Sequence, residues 1–71
     1  MSKSLTNAIE ALLFGAGRPI TLSEIRNILS NNGNIVELSD IKKSLNMLEE
    51  RYIDTSIEVQ EVASGYRLNI K

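Results

Sequence analysis

The sequence predicts an α+β fold of the winged-helix (winged helix-turn-helix) type: a three-helix core, a C-terminal β-hairpin wing and a short extra strand. Three observations predict it. Apolar residues recur at steps of three and four through three segments that end at Tyr52, and after Ser56 the period falls to two. Between the first two helical segments, Pro19-Ile20-Thr21 supplies a short extended piece with which the hairpin can pair. No internal repeat or low-complexity tract interrupts this order, and the connections have lengths usual in compact domains.

The first helix is expected from Leu5 to Ala16, with Leu5, Ala8, Ile9, Leu12 and Ala16 on one stripe. Ser4 or Ser2 can cap its start; Gly15 and Gly17 punctuate its end, and Pro19 pushes Arg18 out of helical geometry. Thr21 followed three residues later by Glu24 forms a capping box, so a second helix starts there with Leu22, Ile25, Ile28 and Leu29 inward. It gives way to a loop, Ser30-Asn31-Asn32-Gly33-Asn34, rich in residues that tolerate turns and expected to be the most mobile segment. Ile35 and Val36 can lean back on the core ahead of the third helix.

Ser39 is expected to cap that third helix, which runs to Tyr52 and buries Ile41, Leu45, Leu48 and Tyr52 while Lys43, Asn46, Met47 and Glu50 face away. The two strands follow, with Ile57 and Val59 in one and Tyr66, Leu68 and Ile70 in the other. If Ser64-Gly65 is the whole loop, Ala63 faces Tyr66, Glu61 faces Leu68 and Val59 faces Ile70. Nearly all apolar hairpin residues then share a face, and Glu58 lies opposite Lys71, Val62 opposite Arg67.

Composition sets the limits on function. The 71 residues, 42% hydrophobic and 24% charged, describe one small domain, 1–71, with no cysteine for a staple and no Cys/His cluster for a metal or cofactor. The longest fully apolar run, Ala11-Leu12-Leu13-Phe14, is far short of a membrane span, so the expected location is the cytoplasm. With no His, no Cys and only Asp40 and Asp54 as aspartates, the usual nucleophile-and-base pairings cannot be assembled, and no catalytic residue is expected. Ser39-Asp40-Ile41-Lys42 matches an S-x-x-K pattern that needs a far larger enzyme fold; Gly15-Ala16-Gly17 is too short to cradle a phosphate.

Winged helices often read DNA with the third helix. Here Lys42, Lys43 and Arg51 are cancelled by Asp40, Glu49 and Glu50, the wing tip Ala63-Ser64-Gly65 has no basic residue, and the net charge is −1. A small DNA-binding transcription regulator is therefore the alternative reading, with Lys42, Lys43 and Arg67 as its contacts. Surplus apolar residues favour protein contact instead. Ala11 and Phe14 project opposite the core stripe of the first helix, Met47 lies outside the third, and Val62 faces out of the hairpin. The plainer reading of Phe14 is that it bends into the core where the helix unwinds at Gly15; single exposed apolar residues need no partner.

Ile9-Glu10-Ala11-Leu12-Leu13-Phe14, followed by Gly15-Ala16-Gly17-Arg18-Pro19-Ile20-Thr21-Leu22-Ser23-Glu24-Ile25, resembles the opening of segregation and condensation protein B (ScpB), I-E-A-L-L-F-x-x-G-x-P-L-[ST]-x-x-E-[IL]. The segment from Ile57 to Leu68 resembles that family's G-I-E-L-x-E-V-x-G-G-Y-R-L, with Ser56 and Ser64 in place of usual glycines. The resemblance implies a non-enzymatic bacterial subunit that partners a kleisin, ScpA, and the SMC ATPase in chromosome condensation and segregation. It also implies homodimerisation through this N-terminal winged helix, and a second winged helix that this chain does not contain.

Overall fold

A computed structural model describes residues 2–30 and 35–71, with side chains from Ser4 onward. Helices α1 (Ser2–Ala16), α2 (Leu22–Leu29) and α3 (Leu38–Arg51) precede a hairpin of β1 (Ile57–Val62) and β2 (Gly65–Ile70). The expected loop through Asn31–Asn34 lies outside the described residues.

The core is one cluster. Ile9 and Leu13 of α1, Ile20, Ile25 of α2, and Ile41, Leu45, Leu48 and Tyr52 from α3 and its end are buried together. Leu68, Val59 and Ile57 close it from the hairpin. The stripe expected for α3 is the one observed. That of α1 is rotated by roughly 60°: Thr6, Ile9 and Leu13 are buried, whereas Leu5, Ala8, Leu12 and Ala16 are half-buried. The shift arises because α1 packs chiefly on α3, and a threonine is small enough to sit in that seam. Its hydroxyl donates to Met47 Sδ at 3.7 Å. Ile28 is not a core residue either; at 51% exposure it lies outside the α2 contact face, where Ile25 alone is fully buried.

Helix ends follow local chemistry more than side-chain preference. Ser4 lies within α1, so it does not cap it, and Gly17, with φ +71°, takes the left-handed position just past the end. For α3 the N-cap is Glu37, without a side-chain cap bond, and Ser39 lies inside the first turn. The helix starts early because the Glu37 carbonyl accepts from both Asp40 and Ile41 N–H at 3.1 Å. Val36 packs against the core there and Ile35 is exposed.

The capping box of α2 is formed as the sequence requires. Glu24 N–H donates to Thr21 Oγ1 at 3.1 Å, and Thr21 N–H donates to Glu24 Oε1 at 3.0 Å. Arg18 adds an ion pair to Glu24 Oε2 at 2.9 Å. Arg18, and next the Thr21 N–H, hold the Glu24 carboxyl down at about 2, from an ordinary 4.5. A depressed carboxylate contributes its stabilisation above its unfolded value and loses it as the pH falls toward the folded one. Glu24→Gln is therefore expected to melt below the parent at pH 7, the two curves converging as the pH is lowered from 4.5 to 2. A difference independent of pH would contradict this origin.

Ser44 is buried, and among the described residues its Oγ has no hydrogen-bond partner. A buried hydroxyl left unpaired costs about 1–3 kcal/mol, and alanine is the better helix former. Ser44→Ala should stabilise the domain by about 1 kcal/mol, seen as a melting temperature higher by roughly 4–8 °C.

The hairpin register differs from expectation. The turn is Ala63-Ser64, and Val62 pairs with Gly65, Glu61 with Tyr66, Val59 with Leu68 and Ile57 with Ile70. Glu58 thus faces Asn69 and Gln60 faces Arg67, which donates from Nε to Gln60 Oε1 at 2.7 Å. Gly65 is drawn into the strand by a tertiary contact: beside it, Tyr66 exchanges two backbone hydrogen bonds with Ile20, both 2.8 Å. Because the displacement is two residues, each side chain stays on its expected face. The short extra strand is this single antiparallel bridge at Ile20, placed on the far side of β2 from β1.

Candidate protein interface

The C-terminal half of α1 presents Ala11 and Phe14 on the side away from α3, because Ile9 and Leu13 are committed to the core. Phe14 does not bend inward; it stands 77% exposed. At the open end of the hairpin, Ile70 is likewise 77% exposed. Next to Phe14 runs an open groove of about 530 Å³, lined by Glu10, Ala11, Phe14 and Gly15 of α1, Ile57 and Leu68 of the hairpin, and Tyr52. Leu13, Asn69 and Ile70 extend it along β2. A protruding aromatic ring next to a concave apolar surface is an arrangement that a two-fold copy of itself can complement.

One wall of the groove is rigid. Tyr52 donates its hydroxyl to Glu10 Oε2, Glu10 Oε1 pairs with Arg51 Nη1 at 3.2 Å, and Arg51 Nη2 donates to Asn7 Oδ1 at 3.4 Å. Burial of Tyr52, then the hydrogen bond and charge of Glu10, push the phenol up to about 12. Lys71 Nζ donates to the carbonyls of Tyr52 and Ile53, both at 2.9 Å, which places a cation just past the C-terminal end of α3.

Of the residues expected at an interface, the structure brings Ala11 and Phe14 together and leaves two elsewhere. Met47, 39% exposed, accepts from Thr6 at the seam of α1 and α3. Val62 keeps its expected face of the hairpin, half-buried near the tip of the wing and away from the Phe14 groove. Ile57, Leu68 and Ile70 are not among the residues the sequence offers for an interface; they belong to the shared apolar face of the hairpin, and Ile57 and Leu68 also pack against the core. The available signal is position: Ile57 and Ile70 pair at the open end of the hairpin, and neither is fully buried.

The alternative DNA contacts are dispersed. Lys42 and Lys43 are exposed near the start of α3, with Asp40 before them and Glu49 and Glu50 exposed toward its end. Arg67 is on the hairpin, bonded to Gln60. Among the described residues no group of His, Cys, Asp and Glu side chains is arranged to hold a metal ion, and no helix is long and apolar enough to cross a membrane.

Three helices, a wing and an uncovered apolar face define a winged-helix domain. The chain belongs to the segregation and condensation complex subunit ScpB family, whose profile matches residues 7–71. It is 38% identical over 63 residues to a segregation and condensation protein B homolog of Coxiella burnetii, covering 89% of this chain and 30% of that protein. In fold it is similar to a conserved hypothetical protein from Chlorobium tepidum, with a TM-score of 0.79 and 21% identity over 99% of this chain and 43% of that one. The chain thus spans about a third of the length of the curated relative it matches.

Proposed function

We propose that this domain is the N-terminal winged helix of a chromosome segregation and condensation subunit, acting in the cytoplasm by protein association and without catalysis. It self-associates through the face of Ala11 and Phe14, and helps to hold a kleisin of the ScpA type and an SMC ATPase in one assembly; ATP hydrolysis belongs to the SMC partner.

The observation that carries this reading is the exposure of Phe14 and Ile70 on either side of one apolar groove. The charge distribution supports it. Arg18, Arg51, Arg67 and Lys71 are each held by a carboxylate or carbonyl-type acceptor, which leaves α3 with two lysines at one end and two glutamates at the other. A DNA reader needs several phosphate contacts together, and its affinity falls steeply with salt.

The test is sedimentation of the chain across a concentration series, with co-purification of the chain, and of a form extended at the C-terminus, with kleisin and SMC heads. Dimers and a stable co-complex are expected. A chain that stays monomeric at tens of micromolar and binds duplex DNA with a steep salt dependence would replace this reading with the regulator.

A further inference from the structure

The wing has an open edge, and the hydrogen bonds of Tyr66 show which groups lie on it. Tyr66 N–H and C=O are both bonded to Ile20, so they point away from β1. Antiparallel ladders alternate between bonded and non-bonded pairs. Glu61, opposite Tyr66, and Val59, opposite Leu68, therefore turn their own N–H and C=O groups outward from β1. Ile57 belongs to the same set, but its N–H donates to the Thr55 hydroxyl at 3.2 Å, which in turn donates to the Tyr52 carbonyl at 2.8 Å. Among the described residues nothing bonds the outward backbone groups of Val59 and Glu61.

The surroundings of this edge are acidic. β1 carries Glu58 and Glu61 and no basic residue. A groove of about 240 Å³ lies between α3 and the hairpin, floored by Leu45, Val59 and Tyr66 and edged by Glu49 and Glu61, with Lys42 at its border. Burial first, then Glu61 and Glu49, raise the Tyr66 phenol, so negative potential reaches the floor. A second copy of β1 laid on this edge would set glutamates against glutamates, which disfavours self-pairing.

We propose that the free edge of β1 takes an extended segment of another polypeptide with lysine or arginine at alternate positions, added as a strand through the backbone of Val59 and Glu61. Its basic side chains meet Glu61 and Glu49 on the α3 side of the sheet, their aliphatic stems lying along the groove floor, while the intervening side chains turn to the opposite face beside Glu58 and Gln60. This surface is lined by residues different from those around Phe14, so it can be occupied or lost independently of self-association.

The probes are two capped hexapeptides, alternating Lys-Val and alternating Glu-Val, added to the 71-residue chain while backbone amide exchange is followed by NMR. With the Lys-Val peptide, the Val59 and Glu61 amides should slow by at least about tenfold; with Glu-Val they should not change. Glu61→Pro removes one outward N–H and breaks no ladder bond. It should weaken Lys-Val binding by about fivefold beyond the loss seen in Glu61→Gln, which changes the charge alone. If the proline variant fails to fold, the double change Glu58→Lys with Glu61→Lys keeps the backbone and should invert the peptide preference. Equal binding of both peptides, no binding at millimolar concentration, or binding that leaves the Val59 and Glu61 exchange rates untouched would overturn the proposal.

Discussion

Gly65→Ala is expected to unfold the domain at 25 °C. Gly65 has φ +132°, a conformation that L side chains rarely adopt, and a Cβ built there would lie 2.4 Å from both C and O of Ile20 and 2.6 Å from N of Thr21. All three are backbone atoms, so no rotamer change relieves the clash. The backbone strain costs about 1–3 kcal/mol and the overpacking a similar amount. Those losses fall on a domain whose single core gives roughly 3–5 kcal/mol in all. The only escape is to separate Ile20 from Tyr66, which breaks two backbone bonds of 2.8 Å and frees the α1–α2 connection from the sheet. Circular dichroism and a two-dimensional amide spectrum should show the loss directly. Gly17→Ala is the matched control. Gly17 also has positive φ, +71°, but nothing lies within 4 Å of its added Cβ, so it should cost only about 1–2 kcal/mol and remain folded. Equal effects of the two substitutions would show that contact with Ile20 is not what makes Gly65 necessary.

Phe14→Asp is expected to abolish self-association while leaving the monomer as stable as before. At 77% exposure the ring contributes little to the monomer core, and surface substitutions of this kind usually change stability by less than about 0.5 kcal/mol. In a two-fold dimer each interface contains Phe14 twice. Losing the burial of one phenylalanine costs about 1.5–3 kcal/mol, and an aspartate facing an apolar groove adds a desolvation penalty. Doubled by symmetry, the loss is at least about 4 kcal/mol, which weakens the dimer by roughly a thousandfold. Sedimentation equilibrium alongside thermal melting separates the two effects. Ala11→Glu should act in the same direction, because Ala11 lines the same groove. An unchanged dimer in both variants would remove this face from consideration, whereas a melted monomer would show Phe14 to be structural.

Most of the scaffold was legible because periodicity reports burial directly. The inward row Ile41, Leu45, Leu48 and Tyr52 is spaced so that only a helix can align it, and Thr21 with Glu24 can satisfy each other only at a helix start. The fold class, the alternation of the strands and the family resemblance at both ends come from the same local regularities. They depend on neighbours three, four or two residues away, which the sequence displays. The absence of a basic third helix was equally readable, since charges can be counted without coordinates.

Partners distant in sequence were decided by the folded structure alone. Whether Thr6 or Leu12 faces α3 depends on what α3 offers, and its Met47 offers a sulfur to a hydroxyl. Whether Gly65 belongs to the turn or the strand depends on Ile20, which lies 45 residues earlier and docks so closely that only a residue without Cβ fits. Phe14 could have turned inward or outward; the core closed without it, and Ile70, at the open end of the hairpin, was left exposed as well. Local pattern fixes which faces are apolar, because each residue's direction follows from its own backbone. Only packing determines which of those faces find a neighbour within the chain and which remain open to another.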